Sequence, residues 1–304
     1  MAWLDLYEKQ VRLLIEILPF VAAEKDLALK GGTAINLFVR DLPRLSVDID
    51  LTWLPVGDRP AALKGINAGM NRIADAIADA PAGLRVFRSV LRTEGVATKL
   101  VVGRGDVQVK IEVTPVLRGC AYPPETRAVS EAVEDRFGFA ETLVVSFSDL
   151  FAGKIVAALD RQHPRDLFDV RGLLANEGID DDLRAAFVVY LLGHGRPMHE
   201  VLDPRRKDIA AEFAQAFQGM TAEPAPLDDL LATREAIIAT ITGGMPRAHR
   251  DFLTGFLEGT PDWALLGVPG AEALPAILWR QQNLDTLDAG RRAALVHSLK
   301  AVLA

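Results

Sequence analysis

An α+β fold is what this chain predicts: a mixed or antiparallel sheet with helices in the first half, then a helical second half. Three observations carry that expectation. Strand-like runs fill the stretch before residue 145, and Val107-Gln108-Val109-Lys110-Ile111-Glu112-Val113-Thr114 alternates cleanly between apolar and polar. From Phe147 onward the apolar residues recur at helical spacing instead. The 304 residues, half of them hydrophobic, suffice for two modest domains, expected at 1–145 and 146–304.

The elements follow in order. Leu4, Val11, Leu14, Ile15 and Leu18 mark a helix over 3–25 that Pro19 should break or kink. Residues 27–29 form a short strand or turn entry. Thr33 N-caps a short helix to Val39. Strands are expected at 46–53, 84–92, 96–102 and 107–114, with a helix over 61–80. In the second half Ser148 should cap a helix over 149–161, and Pro164 suits the first turn of a helix over 165–176. Further helices are expected at 180–194, 207–218, 224–241, 245–258 and 287–303, with Trp263 and Trp279 in their core.

Bulk properties exclude several classes. No apolar run approaches the ~18 residues of a membrane span. The opening MAWLDLYEKQVRLL lacks a basic region before an apolar stretch, so it does not resemble a signal peptide. The lone Cys120 cannot form an intrachain disulfide, which suits a reducing compartment, and the expected location is the cytoplasm. A net charge of −7 does not advertise nucleic-acid binding, although local patches matter more than the sum.

The chemistry concentrates in Lys30-Gly31-Gly32-Thr33 and Arg44-Leu45-Ser46-Val47-Asp48-Ile49-Asp50-Leu51. Alternation along a strand puts Ser46, Asp48 and Asp50 on one face, and Val47, Ile49 and Leu51 on the other. Two carboxylates on one face repel unless a cation sits between them. Mg²⁺ takes oxygen ligands, commonly one or two carboxylates plus substrate phosphates. A glycine turn entering a helix is a seat for phosphate. The combination predicts metal-assisted chemistry on a nucleotide, with Asp48 and Asp50 as metal ligands and Gly31, Gly32, Thr33 and Ser46 around the phosphates. Glu112 shares its strand face with Lys110 and is the candidate third ligand for a two-metal site. An amphipathic strand with one solvent face explains Glu112 equally. A polar strand face or a structural calcium pair would also account for an isolated Asp-x-Asp.

A second cluster runs from Ser148 to Val170. Lys154 lies well inside a hydrophobic helix, and Arg161 follows it on the same face. Arg165, Asp166 and Asp169 are flanked by Leu167, Phe168 and Val170, which implies partial burial. Lys154 and Arg165 could neutralise a triphosphate, with Asp166 or Asp169 orienting either one. A solvated helix laced with ion pairs is the simpler alternative. Arg85, Arg88, Arg92, Lys99, Arg104 and Lys110 make a basic segment opposed only by Glu94 and Asp106. It reads either as a nucleic-acid groove or as a charged sheet edge. His194, His199 and His249 lack metal-like spacing, and Cys120 has no adjacent base.

Together these residues resemble the AbiEii-type nucleotidyltransferase toxins of the polymerase-β-like nucleotidyltransferase superfamily. Gly31-Gly32-Thr33 with Ser46-Val47-Asp48-Ile49-Asp50 resembles the first family motif, and Lys110-Ile111-Glu112 the second. Lys154 within Phe151-Ala152-Gly153-Lys154 resembles the third, and Arg165-Asp166-Leu167-Phe168-Asp169 the fourth. Gly259-Thr260-Pro261-Asp262-Trp263 and Leu274-Pro275 with Trp279 are similar to the family's C-terminal tail. The resemblance implies a toxin of a toxin–antitoxin system, related to phage abortive-infection modules and to mycobacterial toxins that modify tRNA. It implies Mg²⁺-dependent transfer of a nucleotide from an NTP, with the 3′ acceptor end of tRNA as target and translation blocked. Carried over by motif, Ser46, Asp48, Asp50, Lys154, Asp166 and Asp169 are the catalytic candidates. The implied partner is a cognate antitoxin, often a winged-helix regulator. Two alternatives remain: an enzyme that nucleotidylates a protein or small molecule, and a non-catalytic module that binds GTP or another nucleotide.

Overall fold

The computed structural model describes residues 2–81, 83–91 and 93–304, with side chains from residue 5 onward. Arg92 and the Leu4 side chain lie outside the described residues. The chain forms two compact units, Met1–Ser146 and Phe147–Ala304.

In the first unit a long helix, α1 (Ala2–Ala22), leads into β1 (Leu27–Lys30), a short turn of helix α2 (Gly31–Ala34) and a π turn at Ile35–Val39. Then come β2 (Asp48–Trp53), α3 (Arg59–Asp79), β3 (Arg85–Leu91), β4 (Val96–Arg104), β5 (Val107–Arg118), β6 (Glu125–Ala128), α4 (Glu131–Phe137) and β7 (Glu141–Val144). The strands make one mixed sheet in the order β3-β4-β5-β2-β1-β7-β6. Only β2 with β5 and β1 with β7 pair in parallel. Helices α1 and α3 pack on one face of this sheet, where Ile49, Leu51, Leu100, Val102, Val109 and Ile111 are buried. The opposite face carries Asp48, Asp50, Lys110 and Glu112, as the alternation of β2 and β5 requires.

The second unit is helical: α5 (Phe147–Arg161), α6 (Pro164–Asn176), α7 (Asp181–Gly193), α8 (Met198–Leu202), α9 (Ala210–Ala216), α10 (Leu227–Ile238), α11 (Arg247–Glu258), α12 (Pro275–Asp285) and α13 (Ala289–Leu303). Helix α5 packs against α6 and α7, α10 against α6, and α11 against α13. Phe151, Phe187, Phe252 and Phe256 are fully buried there.

Several local expectations need correction. Pro19 does not end α1: it is exposed near the C-terminus, and its carbonyl still accepts from the Ala23 N–H at 3.2 Å. Thr33 is not an N-cap, because the helix starts at Gly31 and the Thr33 hydroxyl is used elsewhere. Ser148 lies inside α5, which begins one residue earlier. Residues 207–218 keep only the two turns of α9 as helix. Trp263 packs against Phe252 and Phe256, with ring centroids 5.1 and 6.2 Å away, but Trp279 is 63% exposed and not core. The capped starts follow the chemistry of their first turns. Asp58 accepts from the Ala61 N–H at 2.7 Å ahead of α3, and His163 Nδ1 from the Arg165 N–H at 3.1 Å ahead of α6.

Gly65 is where α3 rests on the sheet. A Cβ there would stand 2.4 Å from the Trp53 ring, which the core holds at 7% exposure. Gly65→Ala would gain about 1 kcal/mol of helix propensity but incur about 1–3 kcal/mol of overpacking. The expected net result is a lower melting temperature, read by circular dichroism.

Candidate active site

In the first unit the site candidate is built around two glycines. Gly31 follows β1 with φ +78°, a left-handed conformation that glycine tolerates best. A Cβ at Gly31 would lie 2.8 Å from the Asp50 carboxylate Oδ2. At Gly32 it would lie 2.7 Å from the Arg44 guanidinium and 2.8 Å from the Ser46 hydroxyl. Bare backbone therefore runs directly beside Asp50 and Ser46.

The Ser46–Asp48 lead into β2 is fixed by hydroxyls. Thr33, fully buried, donates from Oγ1 to the Asp48 carbonyl at 2.5 Å. With that proton committed, Thr33 Oγ1 accepts from Ser46 Oγ, 3.1 Å away. The Ser46 N–H donates to the Tyr7 hydroxyl of α1 at 2.8 Å. Burial pushes the Tyr7 phenol up from its ordinary value, against the opposing pull of the Ser46 backbone, so it remains a neutral hydroxyl. Asn36, in the π turn, donates to the Gly32 carbonyl at 2.7 Å and accepts from the Arg44 N–H at 3.3 Å. That one side chain ties the glycine turn to the segment entering β2. The Arg44 guanidinium, 2% exposed, donates to the Leu45 carbonyl at 2.8 Å. Tyr7 and Asn36 were not singled out from sequence. Tyr7 lies 39 residues from Ser46, and only the packing of α1 connects them.

Strand register sets the electrostatics. Asp50 stands opposite Lys30 on β1 and Glu112 on β5, while Asp48 stands opposite Lys110. Burial lowers the Lys30 ammonium, offset in part by Asp50 and then Cys120, which raise it. Glu112 does reach the strand position beside Asp50, but its carboxylate is held by Lys99 of β4 at 2.6 Å. Among the described residues no group of three or more His, Cys, Asp or Glu side chains forms a metal cluster. The donors fit a divalent cation at Asp48 and Asp50, two carboxylates on one face beside open glycine backbone. Glu112 fits less well, since Lys99 would have to release it.

In the second unit Lys154 of α5 is 7% exposed and donates to Asp166 of α6 at 2.7 Å. It also pairs with Asp169 at 3.1 Å. Arg161 reaches the same Asp166 carboxylate with two nitrogens, at 2.5 and 2.9 Å. Burial alone would raise the Asp166 carboxyl, yet the Lys154 charge and then Arg161 outweigh it and hold it well below the usual carboxylate range. Both expected aspartates thus orient Lys154, and neither pairs with Arg165, whose side chain is exposed. The cation that brackets Asp166 is Arg161, seven residues after Lys154 on the same helix. Its spacing was visible in the sequence, though its partner was not.

The basic segment separates by sheet face. Arg88 pairs with Asp75 and Arg104 with Glu16, both on the helix-covered side. Arg85, Lys99 and Lys110 belong to the open side. Among the described residues no helix is long and apolar enough to cross a membrane.

A mixed sheet carrying paired strand aspartates beside a glycine turn suits the nucleotidyltransferase class of protein. Residues 12–278 match the model of the family described as nucleotidyl transferase AbiEii toxin, type IV toxin–antitoxin system. The chain belongs to that family, and it is a nucleotidyltransferase toxin of a type IV toxin–antitoxin system. The family implies an NTP substrate, a divalent metal and an antitoxin. Among solved structures it is similar in fold to MenT4, the nucleotidyltransferase toxin Rv2826c from Mycobacterium tuberculosis H37Rv. That match has a TM-score of 0.57 and 17% identity, and it covers 98% of this chain and 94% of the other. No curated protein matches.

The Lys154 cluster has a pH signature. Because the folded Asp166 pKa is depressed, its contribution is present above the unfolded value, about 3.9. It is lost as pH falls below that toward the folded value. Asp166→Asn should cost about 3 kcal/mol at neutral pH, because it leaves buried charge under-compensated. It should also flatten the stability decline below about pH 4. Urea midpoints measured across pH for both proteins check this.

Proposed function

We propose that this toxin transfers a nucleoside monophosphate from an NTP to the 3′ acceptor end of tRNA, so that the modified tRNA no longer supports translation. The observation that carries the reading is the pair Asp48 and Asp50 on one strand face, with Gly31, Gly32 and Ser46 alongside. Asp48 and Asp50 would hold Mg²⁺, which when bound supplies charge that polarises the α-phosphate and favours the ionised acceptor hydroxyl. The bare backbone at Gly31 and Gly32, with Ser46, receives the β- and γ-phosphates; the sequence also offered Thr33, but its buried hydroxyl is committed to the Asp48 carbonyl and instead positions Ser46. The acceptor 3′ hydroxyl gives its proton to solvent, its oxygen bonds to the α-phosphorus, the bond from that phosphorus to the β-bridging oxygen breaks, and pyrophosphate leaves.

Lys154 and Arg165 are carried into this reading by their family-like motifs alone, as the cations that would offset the charge developing on pyrophosphate, in the manner of charge clamps in phosphoryl transfer. Asp166 and Asp169 keep the Lys154 ammonium in place. The cytoplasm, where NTP and tRNA are found, is the proposed compartment, and a winged-helix antitoxin is the proposed partner.

A second reading changes only the acceptor, to a protein or small molecule. It draws support from the carboxylates that neutralise Arg88, Arg104 and Lys99, and from the net charge of −7. A non-catalytic nucleotide-binding module is set aside by family membership.

Each radiolabelled NTP in turn, Mg²⁺ and deacylated tRNA are incubated with the protein and run on a denaturing gel. Label joining tRNA is expected with wild type. It should fall roughly a thousandfold or more in Asp48→Ala, whose far-UV circular dichroism stays native. EDTA should abolish the signal and excess Mg²⁺ restore it. Label that joins protein or a small molecule instead of tRNA would overturn the acceptor.

A further inference from the structure

We infer that the open face of β3, β4 and β5 is a track for the single-stranded 3′ segment of the nucleic-acid acceptor, with Phe87 as its stacking platform. The inference rests on the nucleic-acid acceptor proposed above and adds the surface that recognises it. Strand register aligns Phe87 of β3 with Val101 of β4, Val101 with Lys110 of β5, and Lys110 with Asp48 of β2. Residues paired in register share a sheet face, so these four side chains form one continuous row. Three strand spacings separate Phe87 from Asp48, roughly 14 Å.

The row is exposed at Phe87 and Lys110 and half-buried at Val101 and Asp48. Phe87 is 61% exposed, with its ring available for contact. Lys110 is exposed and forms no ion pair among the described residues, although Arg88 and Arg104, also on these strands, are neutralised by carboxylates on α3 and α1. Arg85, two residues before Phe87, lies on the same face and is also exposed. Its guanidinium donates to the Gly105 carbonyl at 3.1 Å, and among the described residues no carboxylate pairs with it.

An aromatic ring between unpaired cations is how proteins hold single strands without reading sequence: bases stack on the ring, and cations follow the phosphates. A folded protein partner would need neither the spacing nor the free positive charge. The row ends at Asp48, where the 3′ hydroxyl has to arrive. A strand lying along it would place its penultimate phosphates at Lys110 and a preceding base on Phe87.

The test uses the full-length protein and a short 5′-fluorescein-labelled single-stranded RNA with a free 3′ hydroxyl, read by anisotropy without NTP. Phe87→Ala should weaken binding roughly tenfold and leave its salt slope intact, while Phe87→Trp retains binding. Lys110→Ala should weaken binding and lower the salt slope by about 0.7. Phe139→Ala removes another exposed aromatic, 60% exposed and outside the row, and should change nothing. All three sites are at the surface, so melting temperatures should match wild type.

In the transfer assay Phe87→Ala should raise the KM for tRNA and leave the KM for NTP unchanged. If wild type labels tRNA while Phe87→Ala and Lys110→Ala bind RNA normally, the track is wrong and the proposed function stands. If wild type neither binds the oligomer nor labels any RNA, both fall. Phe87-dependent binding without transfer to RNA would leave a single-strand binding face but overturn both the tRNA acceptor and the face's role as the acceptor's track.

Discussion

The parallel pairing of β2 with β5 is the constraint on which the rest of the first unit depends. It inserts the strand bearing Asp48 and Asp50 in the middle of the sheet, between β5 and β1. Ile49 and Leu51 are then fully buried on the helix side, so the register cannot slip by one residue without burying the carboxylates. The apolar half of the alternation thus positions the polar half. The hydroxyls of Thr33 and Tyr7 act on the end of this strand, where no ladder holds Ser46, and supply there what the ladder supplies further along.

The second unit solves a different problem. An ammonium buried inside a helix is stable only with close counter-charges. Asp166 and Asp169, one helical turn apart on α6, provide two for Lys154, and Arg161 balances the excess. The four groups are neutral as a set, with Lys154, Asp166 and Asp169 buried and Arg161 reaching Asp166 from the surface. A lysine so held has little rotational freedom, which would suit the role proposed for it.

Much of this was legible in the sequence, for a physical reason. The period of 2 through Val47, Ile49 and Leu51 exposes Asp48 and Asp50 by simple alternation, and the apolar flanks of Asp166 and Asp169 signal burial. What was not legible depended on contacts distant in sequence. Nothing near Glu112 shows that Lys99 stands opposite it, since that pairing comes from the β4–β5 hairpin register. The π turn that lets Asn36 bind both Gly32 and Arg44 has no local pattern of its own. Thr33 has good cap chemistry, but its hydroxyl found a better partner in the Asp48 carbonyl. Trp279 was misplaced because helical spacing says which residues share a face, and not whether another helix covers that face.

The outermost strand, β3, has a consequence for the behaviour of the protein at high concentration. One side of its backbone has no neighbouring strand, and Phe87 and Val90 are exposed on it. Such an edge invites a second molecule to add its own strand, the first step towards aggregation. Arg85 and Arg88 flank the aromatic on the same strand. A second copy added to this edge would bring a second Arg85 to it, and charged side chains on an edge strand are one way in which sheets discourage such pairing. The same Arg85 that is assigned to the track would therefore make this edge a poor template for itself.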